Sequence, residues 1–250
     1  MSGRRPSLLL LSVLAIWIVQ SSTQMPPKKP GANAQEPMYP DRPFDYLILS
    51  VMWPNGFCKT DIGKKCVQDK AKKFNTVWTV HGMWPYGNRG PPTYCNCSVK
   101  FEMAQITTLY SDLNKYWPSL IQLGAEAFWK HEWDKHGTCA FTCPLISGQR
   151  NYFSRTMEYF HKVSIIQKLE NGGIRPRQAP YPVAQIQHAL TVAWKFPGSI
   201  SVVCSRSSDA RIRYSLLHEI RFYFNKTLHP LNVGLGYVEN GCSPNFLYLQ

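Results

Sequence analysis

One segment of the chain, residues 128–140, gathers ionisable side chains at a spacing that suits acid–base chemistry. It reads Phe-Trp-Lys-His-Glu-Trp-Asp-Lys-His-Gly-Thr-Cys-Ala. On an α-helix, which advances about 100° per residue, four ionisable side chains fall within an arc of about 140°: His131, Glu132, Lys135 and His136. Phe128 lies within the same arc. We therefore predict a helix that turns this face towards a cleft and ends at Gly137.

A charged helical face of this kind is ordinarily a solvated surface. Here two imidazoles and a carboxylate lie among tryptophans, with Cys139 close behind, and this composition favours a functional site. A zinc site is also conceivable, because His131-Glu132 opens like the helix of a zinc protease. Those helices place the second histidine at i+4, about 40° away, whereas His131 and His136 are five residues and about 140° apart. We predict no metal and no cofactor.

A second histidine is needed if proton transfer is to have both an acid and a base. Residues 76–80, Thr-Val-Trp-Thr-Val, are β-branched and aromatic and predict a strand that leads directly into His81-Gly82. A lone histidine at a strand end is more often structural than catalytic. His81 is a stronger catalytic candidate than a lone histidine would be, because His136 offers the second imidazole.

The segments Trp78-Thr-Val-His-Gly-Met-Trp-Pro85 and 128–139 closely resemble the two signature segments of the ribonuclease T2 family. The resemblance extends more weakly from Tyr46 to about Cys242. It implies endonucleolytic cleavage of single-stranded RNA without a metal, through a 2′,3′-cyclic phosphate. DNA lacks the attacking 2′-hydroxyl and should not be cleaved.

The same resemblance assigns the roles of individual residues. It implies that His136 is the base and His81 the acid. Glu132 and Lys135 stabilise the pentacovalent phosphate, and His131 binds phosphate. Trp84 and Phe128 are candidate surfaces for stacking nucleobases, although aromatic side chains can equally serve in packing.

Two residues depart from the family pattern near the cleft. Val51 stands where many members have Gln, and Tyr86 follows Trp84-Pro85 where many have an acid. Tyr86 can stack on any base and Val51 offers only apolar contact, whereas hydrogen bonds are what separate bases strongly. We predict low base specificity.

The order of elements, strands first, helices in the middle and strands last, predicts an α+β fold with a central antiparallel sheet and helices packed against it. Further strands are expected at 44–52, 199–204 and 212–224, and further helices at 99–114, 151–170 and 182–194. The lysine-rich segment 58–73 is interpreted as a solvated loop. The last strand is too long to be regular, so a bend or bulge is expected near Leu217-His218, and its even-numbered apolar residues should share one face.

The amino-terminal residues predict a secretory route. Residues 1–24 have the basic, apolar and small-residue regions of a signal peptide, and 25–43 form a proline-rich linker or arm, which leaves 44–250 as one domain. The formal net charge of +13 falls to about +11 when Arg4 and Arg5 are removed. A charge of this size suits a polyanionic partner, but it does not show which kind of polyanion the protein binds. We expect a secreted or lysosomal monomer without stable membrane insertion, and sequons at Asn96 and Asn225 to be glycosylated.

Eight cysteines on this route predict a disulfide framework. Our hypothesis pairs Cys58 with Cys66, Cys204 with Cys242, and Cys139 and Cys143 with the cysteines at 95 and 97. The resemblance supports a bridge from this early loop to Cys139 but not the bridge to Cys143. The short inner cysteine pair of many members has no counterpart around Glu219–Phe224.

Two rival functions remain open at this point. A non-catalytic secreted protein that binds RNA or an anionic glycan would have the same charge. A zinc protein could use the thiolates of residues 95, 97, 139 and 143, although an oxidising compartment favours disulfides.

Overall fold

Strand β1, Tyr46–Met52, lies in the interior of the central sheet. The computed structural model describes residues 44–87, 89–234 and 237–250. The predicted signal peptide and the proline-rich linker lie outside these residues. The strands are β1, β2 (Thr79–Tyr86), β3 (Tyr181–Pro182), β4 (Ile200–Arg206), β5 (Ser215–Phe224), β6 (Tyr237–Asn240) and β7 (Asn245–Leu247).

The sheet runs in the order β2-β1-β5-β4-β6, and β7 pairs with both β5 and β3. Its three central pairings, β2 with β1, β1 with β5 and β5 with β4, are antiparallel. β6 joins β4, and β7 joins β5, in parallel. The predicted central antiparallel sheet is therefore confirmed, with parallel additions near its margins.

The helices contribute the other half of the core. They are α1 (Pro54–Phe57), α2 (Gln68–Lys73), α3 (Tyr110–Tyr116), α4 (Ala125–Lys135), α5 (Gln149–Val163), α6 (Ile165–Asn171) and α7 (Val183–His188). Short 3₁₀ segments span Met103–Leu109 and Gly137–Cys139, and a π turn spans Ala189–Ala193. Buried side chains of β1 join those of α4 and α5 in one apolar cluster: Leu47, Leu49, Val51, Trp129, Trp133, Tyr152, Phe153 and Met157. The α+β class is confirmed.

Several predicted helix and strand boundaries differ from those in the structure. β2 continues through His81 to Tyr86, so the histidine lies within the strand and not at its end. The stretch predicted as one helix over 151–170 is two, because Ser164 adopts a left-handed conformation (φ 44°, ψ 47°) that a right-handed helix cannot continue through. The lysine-rich stretch 58–73, predicted as a loop, ends in helix α2.

Two β-bulges interrupt the central strands. In the pairing of β4 with β5, Val203 faces Glu219 and Cys204 faces Leu217, which leaves His218 as the extra residue. In the pairing of β1 with β2, Ser50 faces Gly82 and Val51 faces Val80, which leaves His81 as the extra residue. A bulge re-aims side chains and reverses the alternation of faces along its strand.

The bulge at His218 confirms the irregularity predicted there but overturns the expected single apolar face. Ile220, Phe222 and Phe224 belong to the main core, whereas Leu216 packs with Leu247 and Leu249 in a separate cluster. Side chains alternate with a period of two, so one extra residue moves those on either side of it to opposite faces.

Three disulfides form, Cys58–Cys66, Cys95–Cys139 and Cys204–Cys242. The Tyr94 amide donates to the Lys135 carbonyl at 3.0 Å, which brings the neighbouring Cys95 to the end of α4, with 4.9 Å between its Cα and that of Cys139. Cys95, and not Cys97, is thus the partner of Cys139, a choice that the sequence left open. Its bridge also removes two of the four thiolates that a zinc site would need.

The predicted fourth bridge, between Cys97 and Cys143, is wrong. Cys97 is exposed on the turn after Cys95, whereas Cys143 is buried. The Cys143 thiol faces inward, with Sγ 2.8 Å from the Lys226 carbonyl oxygen. Within the described ranges, no helix is long and apolar enough to cross a bilayer.

Candidate active site

A cavity of about 500 Å³ opens between β2 and α4. It is lined by all seven residues that the sequence nominated for catalysis and substrate binding: His81, Trp84, Phe128, His131, Glu132, Lys135 and His136. The structure therefore brings together two signature segments that are about 50 residues apart in the chain. Arg221, Tyr86, Ile48 and Thr93 complete much of the remaining wall.

His81 occupies the β2 wall of the cavity as the extra residue of its bulge. Its carbonyl oxygen accepts a hydrogen bond from Nε1 of Trp117 at 3.0 Å, which occupies a backbone group that the bulge leaves outside the regular ladder. The imidazole packs edge-on against the ring of Trp84, 4.8 Å between centroids. Its side chain is 31% exposed, so it is held on one side and open to the cavity on the other.

Helix α4 supplies the opposite wall, with the spacing that the sequence predicted. Trp129 and Trp133 are buried in the core, while His131 and Lys135 reach the cavity. Glu132 lies between these two sides and is only 2% exposed. Its Oε2 accepts a hydrogen bond of 3.0 Å from Nε1 of Trp84, so β2 and α4 are joined directly across the site.

This bond between Trp84 and Glu132 leaves no room for a side chain at Gly82. A Cβ there would lie 2.2 Å from Nε1 of Trp84 and 2.3 Å from Oε2 of Glu132. Both distances are far inside van der Waals contact. The position of the Glu132 carboxylate therefore requires glycine at position 82.

His136 lies just beyond the last residue of α4, with its amide still donating to the Glu132 carbonyl at 3.0 Å. Gly137 follows because a Cβ at that position would lie 2.3 Å from the ring of Trp133. The Cys95–Cys139 bridge then fastens the segment. Helix, glycine and disulfide together fix the position of the second imidazole, whose ring lies 5.4 Å from that of Trp84.

The electrostatic surroundings of the two imidazoles differ in sign. Burial lowers the pKa of His136 to about 3, and the positive charges of Lys135, His81 and His131 act in the same direction. Burial also lowers the pKa of His81, but the carboxylates of Glu219 and Glu132 outweigh burial, so the net shift is upward. One imidazole is therefore kept neutral and the other favours its charged form.

The remaining ionisable groups of α4 are also perturbed. Burial raises the pKa of Glu132, against the opposing influence of His81 and the Trp84 N–H. Burial, followed by Lys135, lowers the pKa of His131. In the described part of the chain, no three His, Cys, Asp or Glu side chains are grouped as a metal-binding set.

The aromatic candidates differ in how open they are. The Trp84 indole is packed by His81 and His136, and the Arg221 guanidinium lies over it 5.5 Å from the ring centroid. We therefore interpret Trp84 mainly as the support of Glu132. Phe128 lines both the main cavity and an adjoining recess of about 120 Å³ formed with Met52, Phe57, Pro118 and Leu120.

The two departures from the family pattern are placed differently from one another. Tyr86 lines the cavity and stacks on Tyr46, 5.4 Å between ring centroids. Val51 is fully buried in the core and does not line the cavity, so the predicted contact between Val51 and a base is wrong. Its neighbour Met52 lines the recess, because side chains alternate along β1.

Three charged or titratable residues near His81 were not found from the sequence: His218, Glu219 and Arg221, all on β5. Residue type alone gave no signal, because they stand in a long apolar strand whose faces change at the bulge. His161, interpreted from the sequence as structural, lies away from the cavity, with Nε2 3.0 Å from Oδ2 of Asp112.

The fold and the site define an α+β protein with two imidazoles, a buried carboxylate and a lysine in a cleft between sheet and helix. The chain belongs to the ribonuclease T2 family, whose sequence model matches residues 44–233. The resemblance stated from the two signature segments is confirmed.

Named relatives agree with this assignment. The chain is 32% identical to ribonuclease T2 of Danio rerio over 157 residues, which is 63% of this chain and 60% of that protein. It is 34% identical to ribonuclease T2 of Homo sapiens over 146 residues, 58% of this chain and 53% of that protein. The matched region therefore spans between half and two thirds of these relatives.

Among solved structures, ribonuclease MC1 from the seeds of bitter gourd is similar, with a TM-score of 0.69 and 25% sequence identity. The superposition covers 82% of this chain and all of that one. The similarity thus covers most of the fold.

Proposed function

We propose that this protein is a metal-independent endoribonuclease that cleaves single-stranded RNA by attack of the ribose 2′-hydroxyl on the adjacent phosphate. The observation that carries the proposal is the pair of imidazoles on one cavity, His81 and His136, in surroundings that favour opposite protonation states. Cyclisation of RNA needs both a base and an acid at the same moment.

His136, with a lowered pKa, is neutral above strongly acidic pH and takes the proton from the 2′-hydroxyl. His81, with a raised pKa, delivers a proton to the departing 5′-oxygen as the P–O5′ bond breaks. The product is a 2′,3′-cyclic phosphate, which water hydrolyses slowly by the reverse transfers. DNA offers no 2′-hydroxyl and is not a substrate.

The developing charge on the phosphate is met by the other groups of α4. Lys135 supplies a cation beside His136. The buried Glu132, whose pKa is raised by burial, shares this wall with Lys135, and the two side chains together stabilise the pentacovalent phosphate. His131 lies on the outer rim of this wall and binds phosphate. All the groups that the chemistry needs are side chains of one chain, so we propose a monomer that uses neither metal nor cofactor.

Base recognition in this proposal depends on stacking. Phe128 and Tyr86 present rings to the cavity, and stacking on an aromatic ring contributes about 1–3 kcal/mol per base with little dependence on sequence. Position 51 contributes nothing, because Val51 is buried. We therefore propose low base specificity, and of the two departures from the family pattern only Tyr86 supports it.

The cellular route remains a proposal from the sequence. The signal-like residues 1–24 and the three disulfides support passage through the secretory pathway. One relative, 27% identical over 172 residues, is named extracellular ribonuclease LE of Solanum lycopersicum. Asn96 and Asn225 are half-buried at turns where their side chains accept hydrogen bonds from the backbone, and we propose both as glycosylation sites.

The test is incubation of the purified protein with a single-stranded RNA and with DNA of the same sequence, each with and without EDTA. We expect RNA fragments ending in 2′,3′-cyclic phosphate, unaffected by EDTA, and intact DNA. Retarded but uncleaved RNA would instead support the rival function of a non-catalytic RNA-binding protein. Loss of cleavage in EDTA would overturn the metal-independent mechanism.

A further inference from the structure

A buried ion pair lies behind His81 and has no part in the mechanism described so far. Glu219 is 3% exposed. The Arg221 guanidinium donates to both of its oxygens, from Nη2 to Oε2 at 3.1 Å and from Nε to Oε1 at 3.3 Å. The Ser50 hydroxyl donates a hydrogen bond to Oε1 as well. A buried carboxylate is destabilising unless it is paired in this way.

The strand register carries Glu219 to His81. Because of the bulge at His218, Glu219 and Arg221 lie on the side of β5 away from the main core, and Arg221 reaches the cavity. β1 separates β5 from β2, and Ser50 is the β1 residue that faces both Arg221 and Gly82. The small Ser50 side chain lets the carboxylate extend over β1 towards His81.

The contact with His81 is directed at one ring nitrogen. Oε1 of Glu219 lies 3.4 Å from Nδ1 of His81, an ion-pair distance slightly longer than an ordinary hydrogen bond. Nδ1 is buried, and no described residue gives it a hydrogen bond of good geometry. Catalytic hydrogen bonds are often long before substrate binds and shorten in the complex.

We propose that Glu219 is the positioning residue of the acid: its carboxylate accepts the Nδ1–H of His81 and thereby holds the Nε2–H towards the leaving oxygen. The inference rests on the proposed ribonuclease function. In the cleavage step, the Nε2 proton goes to the 5′-oxygen as the P–O5′ bond breaks. His81 becomes neutral with its remaining proton on Nδ1, and Glu219 stays a carboxylate throughout.

The charges around His81 favour this arrangement. His81 faces Glu219, Arg221 and His218 from β5, Glu132 and His131 from α4, and His136 just beyond the end of α4. Burial and the Arg221 guanidinium oppose a proton on His81. The carboxylates of Glu219 and Glu132 outweigh them, with the Glu219 contact the largest favourable contribution, so the pKa of His81 is raised. His81 and Arg221 in turn outweigh burial and lower the pKa of Glu219 to about 2.

The alternative is that Glu219 only neutralises Arg221 and has no effect on His81. The variant Glu219→Gln separates the two, because the amide keeps the shape and loses the charge. On RNA we expect kcat to fall by at least about tenfold with KM little changed. The falling, alkaline limb of kcat/KM should move down by about one pH unit or more, because His81 would lose its proton more readily. Glu158→Gln, a charge-matched change on the exposed face of α5, should alter neither.

A second substrate shows which step is affected. A ribonucleoside 3′-(4-nitrophenyl phosphate) expels a leaving group that needs no proton, so the defect of Glu219→Gln should largely disappear on it. An equal loss on both substrates would overturn the proposal, because it would indicate general damage and not a fault in proton delivery.

The third measurement does not depend on catalysis. An NMR titration of the His81 imidazole in the resting protein, assigned with His81→Ala, should show a pKa at least about one unit lower in Glu219→Gln. If that variant does not fold, Glu219→Gln/Arg221→Gln is titrated instead and compared with Arg221→Gln, because loss of the guanidinium by itself raises the pKa of His81. An unchanged His81 pKa would refute the role of Glu219 even if the protein cleaves RNA. A wild-type protein that does not cleave RNA would refute the function and leave the titration to decide the pairing.

Discussion

The cleft contains two histidines, and a different kind of structure holds each of them. His81 is the extra residue of a bulge within the sheet and is backed by the carboxylate of Glu219. His136 follows the last turn of α4 and is surrounded by Lys135 and two other imidazoles. The first is biased towards the imidazolium and the second towards neutral imidazole. In the proposed mechanism, the neighbouring elements therefore determine which histidine acts as the acid and which as the base.

The largest expected effect comes from exchanging either imidazole for a methyl group. His81→Ala and His136→Ala should each lower kcat/KM on RNA by about 10²–10⁴ while remaining folded. On a 4-nitrophenyl ester of a ribonucleoside 3′-phosphate, His81→Ala should recover most of its loss and His136→Ala should not, because only the acid becomes dispensable. Steady-state rates with circular dichroism as the folding control decide it. Recovery by His136→Ala instead would mean that the roles are reversed.

The next effect concerns how the two histidines are anchored, by sheet hydrogen bonds or by a disulfide. The Cys95–Cys139 bridge closes a loop with a sequence separation of 44 residues beside His136. A loop of that size corresponds to about 4 kcal/mol of stability in the chain-entropy account. Cys95→Ser/Cys139→Ser should lose about that much in urea unfolding. Cys97→Ser should lose almost nothing, since Cys97 is unpaired and exposed; an equal loss would show that Cys97 is the true partner.

The pH dependence of cleavage sharpens the comparison further. Activity requires neutral His136 and protonated His81, so kcat/KM should rise with pH through a limb below pH 6.5 and fall through a limb above it. Lys135→Met removes a positive charge beside His136, whose pKa should then rise and carry the acidic limb to higher pH. The rate should also fall by about tenfold to a hundredfold, because a phosphate contact is lost.

Lys130→Met is the matched control on the same helix, since that lysine is exposed and paired with Asp134. The Lys130→Met variant should leave both limbs of the kcat/KM pH profile unchanged. Movement of the alkaline limb in Lys135→Met, with the acidic limb fixed, would contradict the assignment of His136 as the base.

The smallest effect is expected in base choice. Tyr86, on the same strand as His81, offers a ring and not a carboxylate. Rates across the sixteen dinucleoside phosphates should therefore differ by about a hundredfold at most. Values of kcat/KM at one pH and salt concentration test this. A preference above about a thousandfold for one base would require hydrogen-bonding groups other than those considered for the site.

The half of the site on α4 could be predicted from residue spacing alone. A helix turns by a fixed angle, so the positions of His131, Glu132, Lys135 and His136 follow once the helix is recognised. His81 could not be placed in this way, because its contact with α4 depends on tertiary packing. The family resemblance supplied what spacing could not.

The half of the site on β5 was out of reach for a physical reason. Alternation along a strand predicts faces only while the register is regular, and the extra residue His218 reverses it. Glu219 and Arg221 therefore could not be assigned to the cleft from their position in the sequence, although the bulge itself was expected. Val51 and Cys143 were misplaced for a related reason, since neither spacing nor residue type showed that both point into the core.

The bulge at His218 also bears on how this chain can change length. A substitution within β5 alters one side chain, whereas removal of one residue between 219 and 224 would exchange the faces of the strand on one side of the deletion. His218 is the exception, because without it Leu217 and Glu219 would be consecutive and would still face Cys204 and Val203. We infer that the bulge is the position at which β5 can change length by one residue while Ile220 stays in the core and Glu219 stays on the side of His81.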